Sequence, residues 1–248
     1  GTLTEEGLLD ARAANRLAAI AFTSEGAAIA WADVSTGAFE TRALKHNEAE
    51  EEIAALSPAE LLVTDTDAQH VNEAARITGA ALTIRPAVKA DAKAAARRIK
   101  TAFEVAALDA FGDFNTAELS AMGLLLDYIE LTQAGAAPRL TPPRRNAERA
   151  FMAIDAATRA ALEIERSVRG SREGSLLACV DRTVTSAGGR MLAERISRPL
   201  TDVPAINARL DAVQFFLEAR DRREGVREEL RAAGDLARAL TRLALGRG

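Results

Sequence analysis

The sequence predicts an α/β domain followed by an all-helical one, and three observations lead there. Apolar runs of strand length alternate with short helical stretches through the first 86 residues. Beyond Lys89 the apolar period becomes helical and stays so. The aromatic share is only 4%, while 55 of the 248 residues are alanine. A core of Leu, Ile, Val and Ala with so few rings favours helices packed at close range.

Residues 17–22 (LAAIAF) and 27–34 (AAIAWADV) are apolar runs separated by a turn-rich Thr-Ser-Glu-Gly. Residues 37–44 (GAFETRAL) alternate with period two, behind a hairpin turn at Ser35-Thr36-Gly37. The acidic stretch 47–56 reads as a helix with Asn47 as N-cap and Ile53 and Leu56 facing inward, stopped by Ser57-Pro58. Residues 60–64 form a short buried strand, 66–78 a helix ended by Gly79, and 81–85 a strand closed by Pro86. This β-β-β-α-β-α-β order, a meander followed by right-handed crossovers, resembles a ribonuclease H-like mixed sheet.

Asn115-Thr116-Ala117-Glu118 is a capping box that opens the next helix, with Leu119, Met122, Leu125 or Leu126, and Ile129 as its inward stripe. Residues 134–150 are proline-rich without helical period, which predicts an extended connection over a surface. Ile154, Ala157, Ala161, Ile164 and Val168 recur at three-four-three-four spacing. That predicts a helix over 155–168 with a narrow packing seam, broken by residues 170–174. Later helices start near Ser186, Asp202 and Asp235, each behind a residue able to cap. Ile206, Leu210, Val213 and Leu217 are the expected buried stripe of the second.

Cys179 is the single cysteine, which excludes an internal disulfide and a cysteine-based zinc site; it reads as a small buried hydrophobe. No apolar run approaches the ~20 residues of a membrane span, and no signal-peptide layout opens the chain, so a soluble, cytoplasmic protein is expected. The net charge of −4 divides into −8 over residues 1–86, +1 over 87–150 and +3 over 151–248. The first third should repel a nucleic-acid backbone, and its acidity suits a protein partner.

Catalytic signatures are scarce. The glycine-rich stretch 170–175 lacks the lysine of a phosphate loop. His46 and His70 have no i, i+4 partner for a metal. A ribonuclease H-like nuclease needs several carboxylates for two metal ions, yet the first strand carries no acid. Asp33 reads as a hairpin-turn ligand, and Asp65 and Asp67 follow the fourth strand.

From Met152 the chain reads MAIDAATRAALEI, then GSLLACVDRTVTSAGGRMLAERISRPLTDVPAINARLDAV. An Asp-x-x-Thr enters a helix ending in Leu-Glu, at Asp155, Thr158, Leu162 and Glu163. An Asp-x-Thr-x-Thr follows at Asp181, Thr183 and Thr185. Gly188, Arg190 and Leu192 make a Gly-x-Arg-x-Leu, Pro199 and Leu200 a Pro-Leu, and Ile206 and Arg209 an Ile-x-x-Arg. These spacings strongly resemble the MutS family at the start of its core, or lever, domain. Residues 8–12 (LLDAR), 33–37 (DVSTG) and 58–62 (PAELL) resemble its connector domain. Ala161 and Ala187 depart from the pattern, standing where many relatives carry Asn and Met.

The resemblance implies a linker from a preceding mismatch-binding domain at 1–16, a connector at 17–108, and the first part of the helical lever at 109–248. It implies a fragment that is itself non-catalytic and couples mismatch binding to ATP-driven clamp switching. Mismatched duplex DNA, ATP with Mg, and a homodimer belong to the implied full-length protein. The connector is expected to dock a MutL-type partner, with Glu50, Glu51 and Glu52 as candidate contacts. No catalytic, cofactor or metal residue is expected here.

The signature residues then have bracing roles. Asp155 caps its helix, and Asp181, Thr183 and Thr185 supply turn and N-cap oxygens. Gly188 permits close helix approach, and Pro199 fixes the helix exit. Arg190 and Arg209 reach carboxylates across contacts. Two other classes compete: a divergent ribonuclease H-like nuclease or resolvase, and a helical DNA-binding protein using arginines within 139–149 and 220–231.

Overall fold

Two apolar strands, β1 (Arg16–Thr23) and β2 (Gly26–Asp33), form the centre of a mixed sheet, and both of their faces are covered. The structure is a computed structural model that describes residue 12 and residues 14–132, 140–146 and 151–244. β1 and β2 pair antiparallel, with Ala18 opposite Trp31 and Ile20 opposite Ile29. Gly26 sits in a tight spot, since a Cβ there would stand 3.0 Å from the Leu44 carbonyl oxygen.

β3 (Ala38–Leu44) continues the meander antiparallel to β2. β4 (Glu60–Thr64) returns parallel to β1, and β5 (Ala81–Arg85) parallel to β4. A two-residue strand, β6 (Arg144–Arg145), lies parallel against the outer edge of β3. The sheet order is β5-β4-β1-β2-β3-β6. The extended surface connection expected over 134–150 is described only at 140–146, where Arg144–Arg145 is recruited as a strand.

Because a strand's side chains alternate between faces, the sheet builds two cores. On one face Ile20, Ile29, Trp31, Leu61 and Val63 meet Ile53 and Leu56 of α1 (Ala49–Leu56) and Ala74 and Ala75 of α2 (Asn72–Thr78). On the other, Phe39 and Leu62 meet Ile99 of α3 (Ala92–Ala102) and Met122 and Leu125 of α4 (Thr116–Thr132). Gly123 lets α3 and α4 touch, since a Cβ at that position would overlap the Ala95 methyl.

The capping box at the start of α4 forms as expected. Glu118 N–H donates to Asn115 Oδ1 at 2.8 Å, and Asn115 N–H to Glu118 Oε2 at 2.9 Å. The stripe does not, because positions 120 to 127 are buried all round. A helix apolar on every side is an internal one. It closes the second core of the sheet, although the sequence resemblance assigns it to the helical part.

Two helix starts also differ. Asn47 is not a cap: a 3-10 turn at His46–Glu48 precedes α1, and Glu48 accepts the Lys45 N–H at 2.8 Å. The expected helix over 66–78 is a 3-10 turn followed by α2, because Thr64 Oγ1 donates to Asp67 at 2.7 Å and holds the first turn out of helix.

The helical part contains α5 (Ala156–Ala161), α6 (Leu176–Val180), α7 (Ser186–Ser197), α8 (Val203–Glu218), α9 (Arg220–Ala232) and α10 (Leu236–Ala244). The seam over 155–168 is absent. Glu163 has φ +49° and accepts the Val168 N–H at 2.7 Å, so the chain turns after one and a half turns of helix. Ile164 is buried, while Ala157, Ala161 and Val168 face solvent. Cys179 is exposed rather than buried, since α6 turns Leu177 inward and Cys179 to the other side. α8 has its apolar stripe, but Leu210, Val213 and Leu217 are exposed, because nothing among the described residues covers them. No described helix is long and apolar enough to cross a membrane.

Candidate functional site at the sheet–helix joint

The sheet and the helical part meet through a buried carboxylate. Glu52 stands on α1, one turn before its end, and is 9% exposed. Its Oε2 accepts from Arg42 Nη1 of β3 at 2.9 Å, and its Oε1 accepts from Arg198, just after α7. Both guanidiniums lie beside the Phe151 ring, at 5.8 and 6.0 Å from its centre. Arg42 Nη2 also donates to Asn146 Oδ1 at 2.7 Å, and Asn146 Nδ2 donates to Glu40 at 2.6 Å. Burial lowers the Arg42 pKa, and neighbouring Arg198 adds to that while Glu52 opposes it.

A second set of bonds runs beside the first. Ser197, the buried last residue of α7, donates its hydroxyl to Ala55 O at 3.1 Å and accepts from Arg159 Nη1 at 3.0 Å. Burial lowers the Arg159 pKa and raises that of Glu165, against the charges of Arg159 and Arg16. Arg16 Nη1 caps the end of α1 through Leu56 O at 3.0 Å. Phe151 bridges Leu200, and Met152 N–H donates to Pro199 O at 2.8 Å. A cleft of about 370 Å³ remains between α1 and residues 151–154, walled by Glu52, Phe151, Arg159 and Arg198.

The third contact is made by Arg12. Its guanidinium donates to Asp181 Oδ2 at 3.1 Å and to Thr183 O at 3.2 Å. Arg172 reaches the same Asp181 oxygen at 2.6 Å, and Thr183 N–H and Oγ1 fill the other at 2.9 and 2.6 Å. Burial would raise the Asp181 pKa, but the Thr183 bonds and the two arginines hold it low. A Cβ added at Gly189 would stand 3.4 Å from the Arg12 stem and from Thr183 Oγ1.

The signature residues divide by what they touch. Asp155 accepts from Thr158 N at 2.8 Å and from its hydroxyl at 2.6 Å, an exposed local cap. Leu162 is exposed, and Glu163 makes the turn described above. Thr185 caps α7 by accepting from Gly188 N at 2.9 Å. A Cβ on Gly188 would meet that cap oxygen rather than another helix, and one on Gly189 would meet the Arg12 side chain and Thr183. Arg190 reaches Asp235, ahead of α10, at 2.8 Å. Pro199 carries the carbonyl that holds Met152. Arg209 is half-buried on α8, where it has no salt bridge among the described residues.

Of the acidic trio on α1, Glu50 is exposed, Glu51 partly so, and Glu52 is consumed by the joint. Glu52 is therefore unavailable as a docking residue. Nothing in the sequence marks Arg42, Arg159 or Ser197, and Arg198 is not among the expected site residues either; the Arg-Pro immediately after a capped helix is the one signal that could point to it. The nuclease candidates are held in local bonds. Asp33 accepts from Ser35 N and Oγ at 2.9 and 2.5 Å, Asp65 from Ala87 N at 3.0 Å, and Asp67 from Thr64. Among the described residues, no group of three His, Cys, Asp or Glu side chains could hold a metal ion. Arg145, one of the candidate DNA-binding arginines, is paired with buried Glu118.

An α/β body pinned by a buried ion pair to a series of helices defines a two-part structural module. The MutS domain II model matches residues 15–141 and the MutS domain III model residues 157–248. The chain belongs to the MutS family. Across its whole length it is 50% identical to the DNA mismatch repair protein MutS of Caulobacter vibrioides, 47% to that of Azorhizobium caulinodans and 46% to that of Paracoccus denitrificans. It spans 28% of the length of each of these relatives.

Proposed function

We propose that this chain is the coupling segment of a mismatch-repair protein, passing displacement between mismatch-bound DNA and an ATP-driven clamp outside these residues. The α/β body acts as connector, with a ribonuclease H-like sheet, and the helices from Phe151 onward act as the first part of the lever. The strand order and parallel return of β4 and β5 support the first assignment. The packing of α4 supports drawing the connector through residue 132 and its β6 extension, rather than ending it at 108.

The observation that carries the reading is Glu52, buried and shared between Arg42 of the sheet and Arg198 of the helical part. Removing its charge weakens the joint without touching DNA or nucleotide. In the full-length protein, Glu52→Ala is expected to leave mismatch affinity and basal ATP turnover intact while lowering the stimulation of turnover by mismatched duplex. Unaltered stimulation overturns the reading.

A MutL-type partner would dock on the exposed part of the α1 acidic face, at Glu50 and Glu51. The double reversal Glu50→Lys and Glu51→Lys is expected to weaken capture of that partner; equal capture removes α1 from the contact. ATP with Mg, homodimerisation and a cytoplasmic setting accompany the proposal as properties of the full-length protein.

A further inference from the structure

The domain with the most acidic sequence also carries a row of unpaired cations. Residues 85–102 contain six basic side chains and a single acid, Asp91, and three of the chain's four lysines lie there. Arg85, Lys89 and Arg98 converge on the carboxylate of Asp127 at 2.9 to 3.0 Å. The other three, Lys93, Arg97 and Lys100, form no ion pair or hydrogen bond among the described residues.

Their spacing on α3 is i, i+4, i+7, which puts them on one stripe. Ala95 and Ile99 are fully buried against α4 on the opposite side, and the Gly123 contact fixes that orientation. The helix therefore cannot rotate its cations inward. At 1.5 Å rise per residue, the row from Lys93 to Lys100 spans about 10 Å.

Protein interfaces concentrate their binding energy in Trp, Tyr and Arg anchors seated in well-packed pockets. Between the cations the outward face of α3 carries alanine rather than a large apolar or aromatic side chain. What a flat row of point charges fits is a repeating anion. Successive phosphates of one duplex strand lie farther apart through space than their axial rise of about 3.4 Å, so a ~10 Å row of long, flexible cationic side chains spreads over up to three of them. We propose that α3 is a sequence-independent contact for the phosphodiester backbone of duplex DNA, separate from whatever surface reads a mismatch.

The test is the salt dependence of binding by the 248-residue chain to a fully paired, fluorescently labelled duplex, followed by anisotropy. Each phosphate neutralised contributes about 0.9 to the slope of log affinity against log salt. Replacing Lys93, Arg97 and Lys100 together by Gln is expected to flatten that slope by about 2.7, with an unchanged circular dichroism spectrum. The charge-conserving pair Lys93→Arg and Lys100→Arg should keep the slope. Replacing Arg227 and Arg231 of α9 by Gln should also keep it. No duplex binding by the parent chain overturns the proposal, as does an equal slope in the triple variant. Displacement by poly-glutamate as effective as by unlabelled duplex would assign the row to an acidic polypeptide and likewise overturn it.

Discussion

Glu52 and Arg198 are 146 residues apart in sequence and share a buried ion pair that also engages Arg42. Buried pairs add little over a well-packed apolar substitute, but removing one partner strands the others without water. Glu52→Ala leaves two buried guanidiniums beside Phe151, and is expected to cost about 3–5 kcal/mol of unfolding free energy. Combined with Arg198→Ala, the loss should fall short of the sum of the single losses by about 0.5–3 kcal/mol. Urea titrations of the four proteins measure this, and strict additivity would deny the pair.

Asp127 gives the opposite lesson, with three cations on one carboxylate. Burial alone would raise its pKa, but bonds from Lys89 and Arg85 and the charge of Arg98 hold it below the ordinary 3.8. A depressed pKa contributes stability above the unfolded value and loses it as pH falls through the folded one. Asp127→Asn is therefore expected to destabilise most at pH 6–7, with the gap to the parent closing below about pH 3.8. Unfolding midpoints compared across that range give the answer.

Glu165 carries the reverse sign. Burial raises its pKa above the ordinary 4.5, so its favourable contribution is complete below that value and is lost as pH rises through its folded pKa. Glu165→Gln keeps the shape and drops the buried charge. It should raise the thermal midpoint at pH 7 and match the parent at pH 4. A lower midpoint at pH 7 would mean that Arg159 and Arg16 need the charge more than burial penalises it.

Gly123→Ala should destabilise although alanine is the better helix former by about 1 kcal/mol. The new methyl would occupy the Ala95 side chain, and overpacking of this kind costs about 1–3 kcal/mol. Ala95→Gly in the same chain removes the methyl overlap, leaves the residue 95 Cα at 2.9 Å, and should restore part of the loss. Thermal melts of the single and double variants distinguish steric overlap from any other role of the glycine.

Strand runs were readable because β1 and β2 are apolar on both faces, and the Asn115–Glu118 box marked the start of α4 by its side-chain chemistry alone. What those signals lack is a partner. An apolar stripe on α8 looks the same in sequence whether or not a neighbour covers it, and Leu210 and Val213 are exposed. The seam through Ala157 and Ala161 failed because Glu163 turns the chain by a backbone rotation that composition does not show. The joint itself was hidden because Arg42, Glu52 and Arg198 look like surface charges until the fold brings them together.

The edges of the sheet have a consequence for how the chain behaves in company. β6 is only two residues long and sits directly behind Pro142 and Pro143, and β5 is five residues long and closed by Pro86. Proline cannot donate to a ladder, and short rims give an incoming strand little to pair with. The sheet is thus poorly suited to recruit a second sheet edge to edge. Self-association of the isolated chain, where it occurs, would run through the uncovered leucines of α8 and α10, and would respond to detergent more than to a competing β-strand peptide.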